Sequence, residues 1–308
     1  MSERANRAAA NPEIPGPAAP DRRLSAILLM CGGVVGFALC DTTAKWLNQS
    51  VDPLMTTWAR YASNVLLLSV VLNPITQPGL LRSRRIGLQL VRSAILLLCT
   101  ALNFFALRYL QLTETMSIQF AMPLLVALLA GPMLGERAGP RRLVAVGIGF
   151  LGVLVIARPG TGSMHPAALL TVISTVLYAF YAIVTRMLAG YDRTATTLSY
   201  SGIVGFVVMT PMLPFMWSAP PSWLHWAMLL AIGGFAAIGH WLLIMAHARA
   251  PAPVLSPFIY TQLLWMGVLG YVVFGDVPDR WTLIGAAIVI GSGLYLLLWE
   301  RQARRAAG

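Results

Sequence analysis

Ten apolar runs, each near the length a helix needs to cross a bilayer, dominate this chain: 24–46, 53–73, 88–109, 113–134, 141–158, 166–187, 195–216, 223–248, 253–274 and 280–299. A bilayer core takes about 20 apolar helical residues. Pro, Gly, Asn, Asp or charged residues separate the runs, as turns require. Barrel strands would alternate and stop near about 10 residues, so the runs read as helices. Only 11% of the 308 residues are charged and the mean hydropathy is +0.72. A soluble domain carries roughly 25% charge, so a lipid bilayer is the expected partner of most of this surface.

The net charge of +11 excludes little by itself. A basic balance can mark nucleic-acid binding, but these charges sit in short loops between apolar runs, and no nucleic acid is expected. They read as topology signals. With the N-terminus inside, the inner set is Arg4, Arg7, Arg22 and Arg23; Arg82, Arg84, Arg85 and Arg92; Arg137, Arg141 and Arg142; Arg186 and Arg193; Arg249; and Arg301, Arg304 and Arg305. The outer set is Lys45, Arg108, Arg158 and Arg280, with Arg60 left inside a span. This asymmetry predicts that both termini are cytoplasmic. Residues 1–23 are rich in Ala, Pro and charge and read as a disordered cytoplasmic tail, and 301–308 as a basic cytoplasmic tail. The run after Arg22-Arg23 is too long for a signal peptide and lacks a small-x-small cleavage pattern, so it is expected to be a retained helix. Cys31, Cys40 and Cys99 lie in apolar runs without metal-ligand spacing and read as small buried residues.

The chain repeats itself. A shift of 140 carries 106–154 onto 246–294 without a gap, matching Ala106, Leu124, Leu129, Gly135, Leu143, Ile148 and Leu154 to Ala246, Leu264, Leu269, Gly275, Leu283, Ile288 and Leu294. Gly135-Glu136 falls on Gly275-Asp276. A shift of 141 places Ala38, Lys45, Leu47 and Thr56 on Ala179, Arg186, Leu188 and Thr197. The reading is an all-α polytopic membrane protein whose ten transmembrane helices form two inverted five-helix repeats, 24–160 and 163–300. An odd number of helices per half turns the halves opposite ways in the membrane. Inverted repeats are the usual architecture of alternating-access carriers, with the site near midplane. A duplicated scaffold or sensor partner that moves nothing is the alternative.

Further short motifs keep a consistent order. Asn103-Phe104-Phe105-Ala106-Leu107 ends the third span, Pro123 and Leu134-Gly135-Glu136 mark the fourth, and Gly147, Gly149 and Gly152 mark the fifth before Arg158-Pro159-Gly160. The second half carries Tyr260-Thr261-Gln262-Leu263-Leu264-Trp265 and Gly275-Asp276. In these features the chain resembles the EamA type of the drug/metabolite transporter superfamily over residues 24–300, with Asp276 in place of the commoner Glu. The resemblance implies a bacterial inner-membrane carrier of small organic metabolites, with a central cavity lined mainly by spans 1, 3, 4, 6, 8 and 9. Asp41-Thr42-Thr43-Ala44-Lys45 in the first span looks most like the branch that holds S-adenosylmethionine, riboflavin and metallophore transporters. No cofactor is expected. Protons as coupling ion and a homodimer stay open as partners.

Polar groups inside the bilayer need a partner or water, because a central charge costs roughly 2.5–3.5 kcal/mol. Asp41 lies about five residues from the outer end of span 1 and Arg60 about seven from the outer start of span 2, so their depths agree. An Asp41–Arg60 contact is expected, with Lys45 at the outer rim. It reads equally as a substrate or gate charge and as a permanent lock between spans. Glu114, opening span 4, reads as a helix-start acid or a coupling acid. Asn103 and Gln119 supply amides at a comparable level. His240 suits a wet cavity, and His247 reads as interfacial. His240 and His247 have no companion ligand, so no metal site is expected. Tyr178, Tyr181, Tyr260, Gln262 and Trp265 offer the aromatic and hydrogen-bonding walls of a cavity for planar ligands, or ordinary packing. Trp217, Trp223 and Trp226 read as belt anchors. HExxH, GxSxG and phosphate-loop patterns are missing from the sequence, and the chain is not expected to be an enzyme.

Overall fold

The computed structural model describes residues 20–71, 80–134, 140–158, 165–188, 191–250 and 252–307. Among them all regular structure is helical: α1 Pro20–Leu47, α2 Pro53–Val71, α3 Ile86–Leu107, α4 Leu112–Gln119, α5 Met122–Leu134, α6 Pro140–Ala157, α7 Ala167–Leu188, α8 Thr194–Met209, α9 Leu213–Met216, α10 Trp223–Arg249, α11 Ala252–Ile259, α12 Thr261–Phe274 and α13 Arg280–Ala307. Eight stretches among the described residues are long and apolar enough to cross a membrane, and Leu143–Ala157 is a shorter apolar helix. Arg60, Ser63 and Asn64 dilute the apolar character of α2, which is 19 residues long. The two tails differ from expectation where they are described. Helix α1 already begins at Pro20, and α13 continues as helix through the basic segment to Ala307. Residues 1–19 and the Gly135-Glu136 pair lie outside the described residues.

Three of the runs read as single spans are interrupted: a 3-10 turn over Thr210–Met212 separates α8 from α9, and two others break at corresponding positions. Helices α4 and α5 meet at Phe120-Ala121, and α11 and α12 meet at Tyr260. Position 120 falls on 260 under the shift found in the sequence. Pro123 explains the first break: it has no N–H to offer, and its ring disfavours helical geometry just before it. The backbone tightens there, with Ala121 N–H donating to Ile118 O at 3.1 Å and Leu124 N–H to Ala121 O at 3.1 Å. At the second break the Thr261 hydroxyl donates to Phe258 O at 2.6 Å and Leu263 N–H to Tyr260 O at 3.2 Å. The rings of Phe120 and Tyr260 meet edge to face, 4.9 Å between centroids.

Packing repeats the internal symmetry. Helix α1 lies against α10 as α7 lies against α3, and α2 against α10 as α8 against α3. Likewise α1 packs on α11 and α12 as α7 packs on α4 and α5, while α6 packs on α13, its own counterpart. The reciprocity reaches single residues. Gly149 lies against Ser292 and Gly152 against Val289, and a shift of 140 exchanges the two contacts. At this seam a Cβ on Gly152 would sit 2.9 Å from the Gly285 carbonyl, so glycine is what allows the helices to approach. Residue i meeting j, and j's counterpart meeting i's, is the signature of a two-fold relation.

Helix ends at one pole are capped by short-range chemistry. Gly275 closes α12 in the left-handed region at φ 71, where a Cβ would be strained. Asp279 caps α13 by accepting from Thr282 N–H at 2.8 Å.

Candidate functional site

Where α1, α3 and α4 meet, three polar side chains join. Asn103 Nδ2 donates to Asp41 Oδ1 at 3.3 Å, and Gln119 Nε2 donates to Asn103 Oδ1 at 2.7 Å. Gln119 is the last residue of α4, so the break at Phe120 lies beside this chain of bonds. The expected Asp41–Arg60 contact is not made. Arg60 turns to α3, where its Nη1 donates to Thr100 Oγ1 at 3.2 Å, and its guanidinium lies over the Tyr61 ring at 5.1 Å. It stays within electrostatic reach of Asp41 without touching it. Both side chains turn to α3 but to different residues of it, Arg60 to Thr100 and Asp41 to Asn103, so they do not meet.

Arg92, counted above with a cytoplasmic loop, lies instead in the second turn of α3 and is 3% exposed. Its Nε donates to Thr185 Oγ1 at 2.8 Å. Its Nη1 donates to Ser201 Oγ at 2.6 Å and to Thr197 O at 3.3 Å, and its Nη2 donates to the Tyr181 hydroxyl. The guanidinium also lies over the Tyr181 ring, 4.5 Å from its centroid. All of these partners are neutral. The third span's own bounds, 88–109, already enclosed this arginine, which is the signal that could have found it.

Arg92, Tyr181 and His240 form the inner wall of a cavity of about 390 Å³, which opens where Thr194 and His247 are exposed. His247, read as interfacial, therefore lines its mouth. Tyr178 packs on Tyr181, 5.4 Å between ring centroids, and His240 stands edge-on to Phe37 at 4.8 Å. Arg60 and Arg92 both act electrostatically on His240. Asp192 lies at the rim outside the spans. Burial pushes its carboxyl up, but donors outweigh this and hold it below the usual carboxylate range: Ser83 hydroxyl at 2.5 Å, Arg84 N–H at 2.8 Å and Gln89 Nε2 at 2.9 Å. A larger cleft of about 440 Å³ between α4–α5, α6 and α7 is walled almost wholly by aliphatic side chains, with Thr175 its hydroxyl. It lacks the convergent polar groups that orient a solute.

The opposite pole is closed. Lys45 Nζ pairs with Asp276 and lies over the Phe274 ring at 4.7 Å. Arg158 Nη2 pairs with Asp279 Oδ2 at 2.6 Å. Burial pushes the Asp279 carboxyl up, yet the Thr282 N–H and hydroxyl and the Arg158 guanidinium hold it below the usual range. Glu114 lies half-buried within electrostatic reach of Arg158 and Asp279. Asn48 Nδ2, just past the end of α1, donates to Phe104 O at 2.6 Å and ties that end to α3 at the same pole.

The other sequence candidates divide. Tyr260 stands at the break beside Phe120, and Gln262 is buried in α12. Trp265 is 41% exposed on the outside of the bundle and does not join the polar residues. Trp217 and Trp226 pack on each other at 6.0 Å and remain exposed with Trp223. Among the described residues no three His, Cys, Asp or Glu side chains gather as metal ligands.

Comparison with known proteins agrees with this architecture. A solved crystal structure superposes with a TM-score of 0.59 at 17% identity, covering 92% of this chain and 97% of that one, a likeness of fold. A riboflavin transporter of Brucella anthropi is 27% identical, covering 90% of this chain and all of that protein. An S-adenosylmethionine uptake transporter of Rickettsia felis is 25% identical over 85% of this chain and 89% of its own length. A pseudopaline exporter of Pseudomonas aeruginosa is 24% identical over 86% and 93%. These relatives are transporters and not enzymes. The EamA-like transporter family matches residues 24–158 and again 165–299, and the chain belongs to that family of small-molecule transporters.

Proposed function

We propose that this protein is a secondary transporter of a small organic metabolite in the bacterial inner membrane, working by alternating access between two inverted five-helix halves. The halves are 24–160 and 163–300, giving ten spans. In this reading α4–α5 form one crossing, α8–α9 another and α11–α12 a third, while α2 and α6 complete the set. Both termini lie in the cytoplasm, following the arginine asymmetry. The Arg92 pole is then cytoplasmic and the Lys45 pole outer.

The observation that carries the proposal is the contrast between the poles. A cavity with tyrosine, histidine and arginine walls opens at one, and ion pairs close the other. This is the arrangement of an inward-open carrier. Lys45–Asp276 acts as the outer gate, and Glu114, beside Arg158–Asp279, belongs to the same closure. The broken crossings support a hinge, since discontinuous helices at midplane mark the sites of inverted-repeat carriers. The Phe120–Tyr260 contact lies where a two-fold axis relating the halves would pass, so rocking about it would close the cavity and open the gate. Asp41, Asn103, Gln119, Arg60, Tyr178, Tyr181 and His240 line the path a solute follows between the two poles. Riboflavin, S-adenosylmethionine and a metallophore are the substrate classes suggested by the relatives.

Counterflow into liposomes holding the purified protein tests this reading, using labelled riboflavin and S-adenosylmethionine and a cell metabolite extract read by mass spectrometry. At least one solute should exchange saturably. Repeating the assay with an imposed pH gradient tests proton coupling. No exchange of any solute, together with a stable complex with another membrane protein, would replace the transporter with a scaffold or sensor.

A further inference from the structure

Charge in the inner cavity does not balance. A guanidinium has five N–H donors. The bonds of Arg92 to Thr185, Ser201, Thr197 and Tyr181 use four of them, all to neutral oxygens. The group is thereby held rigid on the cavity wall with its positive charge uncompensated. Arg60 adds a second cation nearby, bonded to a threonine and facing the aromatic ring of Tyr61. Asp41 is the acid within reach of Arg60, and its carboxylate already accepts from Asn103. Asp192 also lines the cavity, but at the rim outside the spans, where the charge of Arg84 acts on it, and it is not among the groups that act electrostatically on Arg92. Two guanidinium groups and one neighbouring carboxylate leave this interior short of a negative charge. In a low-dielectric span the missing charge has to come from what enters.

Resting on the transporter reading, we propose that the solute is an organic anion whose carboxylate or phosphate head docks on Arg92 while its planar body lies between Tyr181 and His240. The cavity, about 390 Å³, falls in the range of small-molecule sites, roughly 300–1,000 Å³. The guanidinium is held in place by its neutral neighbours, and those four bonds leave one N–H, on Nη2, for an anionic head to accept from in a single charge-assisted hydrogen bond. A cationic head would meet two like charges. The same anionic chemistry could be presented by a lipid headgroup, so the test separates the two sources.

Benzoate, benzamide and benzamidine share one shape and carry negative, zero and positive charge. They are titrated, with phenyl phosphate, into the protein in phosphatidylcholine nanodiscs at constant ionic strength, by calorimetry or thermal shift. Benzoate should bind at least about tenfold tighter than benzamide, benzamidine weakest, and phenyl phosphate at least as well as benzoate. Arg92→Gln should level the series and Arg92→Lys should keep its order. If Arg92→Gln does not fold, the wild-type order alone decides. Equal binding of benzamide and benzoate, preference for benzamidine, or binding of none overturns the proposal. Benzoate binding unchanged by added phosphatidylglycerol supports a soluble anion, whereas displacement by that lipid assigns the site to a headgroup and overturns the solute. Charge preference without liposome exchange would sink transport and spare the anion site. Exchange without charge preference would do the reverse.

Discussion

At one pole of the bundle Lys45 meets Asp276 and Arg158 meets Asp279; at the other Arg92 meets only neutral oxygens. The poles are built from corresponding pieces of the two repeats, so the difference is not one of fold. Ion pairs between α1 and the end of α12, and between the end of α6 and the start of α13, draw helix ends together and shut the space between them. A guanidinium surrounded by hydroxyls draws nothing across the cavity, and the space beside it stays open. The contrast teaches that, in a symmetric scaffold, the placing of a few carboxylates decides which end is closed.

The largest expected effect comes from removing the unmatched cation. Arg92→Gln should reduce exchange in liposomes by about 100-fold, the size expected when one member of a buried charged contact is lost. Arg92→Lys should fall between the two, since an ammonium keeps the charge and loses the fork. Equal activity of all three proteins would erase the contrast between the poles.

Next comes the closed pole. Lys45→Asp sets two carboxylates face to face and should loosen it. In a chain whose native cysteines are replaced, a cysteine at position 48, now fully buried, should react about tenfold faster with a membrane-impermeant thiol reagent, equivalent to about 1.4 kcal/mol. The double exchange Lys45→Asp, Asp276→Lys should restore slow labelling. Fast labelling in wild type would mean the pole is not closed.

Between the poles, Asn103→Ala leaves Asp41 without its donor and the Gln119 amide without its acceptor. A loss of about 1 kcal/mol is expected, seen as a lower melting temperature in detergent. An unchanged melting curve would show that this chain of bonds holds nothing together.

The smallest effect is at the rim. The carboxyl of Asp192 is held below its ordinary value of 3.8. A depressed folded value adds stability above the ordinary value, which is lost as pH falls through the folded one. Wild type should therefore lose stability below that ordinary value, while Asp192→Asn should lack this component. Both should be flat in this respect between about pH 5 and 8.

Much of this was legible along the chain. Apolar run length placed helices where helices are found. The shift of 140 joined Phe120 to Tyr260, the positions where two of the runs break and their rings touch. Asp41, Asn103 and Gln119, chosen because polar groups in lipid seek partners, do bond to one another. The misses share a cause. Rise per residue predicts one depth for Asp41 and Arg60, but contact also needs the azimuth of each side chain, set by how helices cross. Arg92 was assigned to a loop although it fell inside a span. The partner of Lys45 lies 231 residues away, and nothing local names it. Trp265 follows Gln262 by three residues in α12, yet its ring is exposed.

The order of apolar and polar residues by itself determined that this chain lives in lipid, that it is helical and that it is doubled, because those properties follow from hydrophobicity, helical rise and repetition along one dimension. Which cations are neutralised, and hence which pole is sealed and which keeps a charged cavity, was decided only by the tertiary structure. Electrostatic pairing depends on distances of a few ångström between residues on different helices, and those distances exist only once the helices have packed.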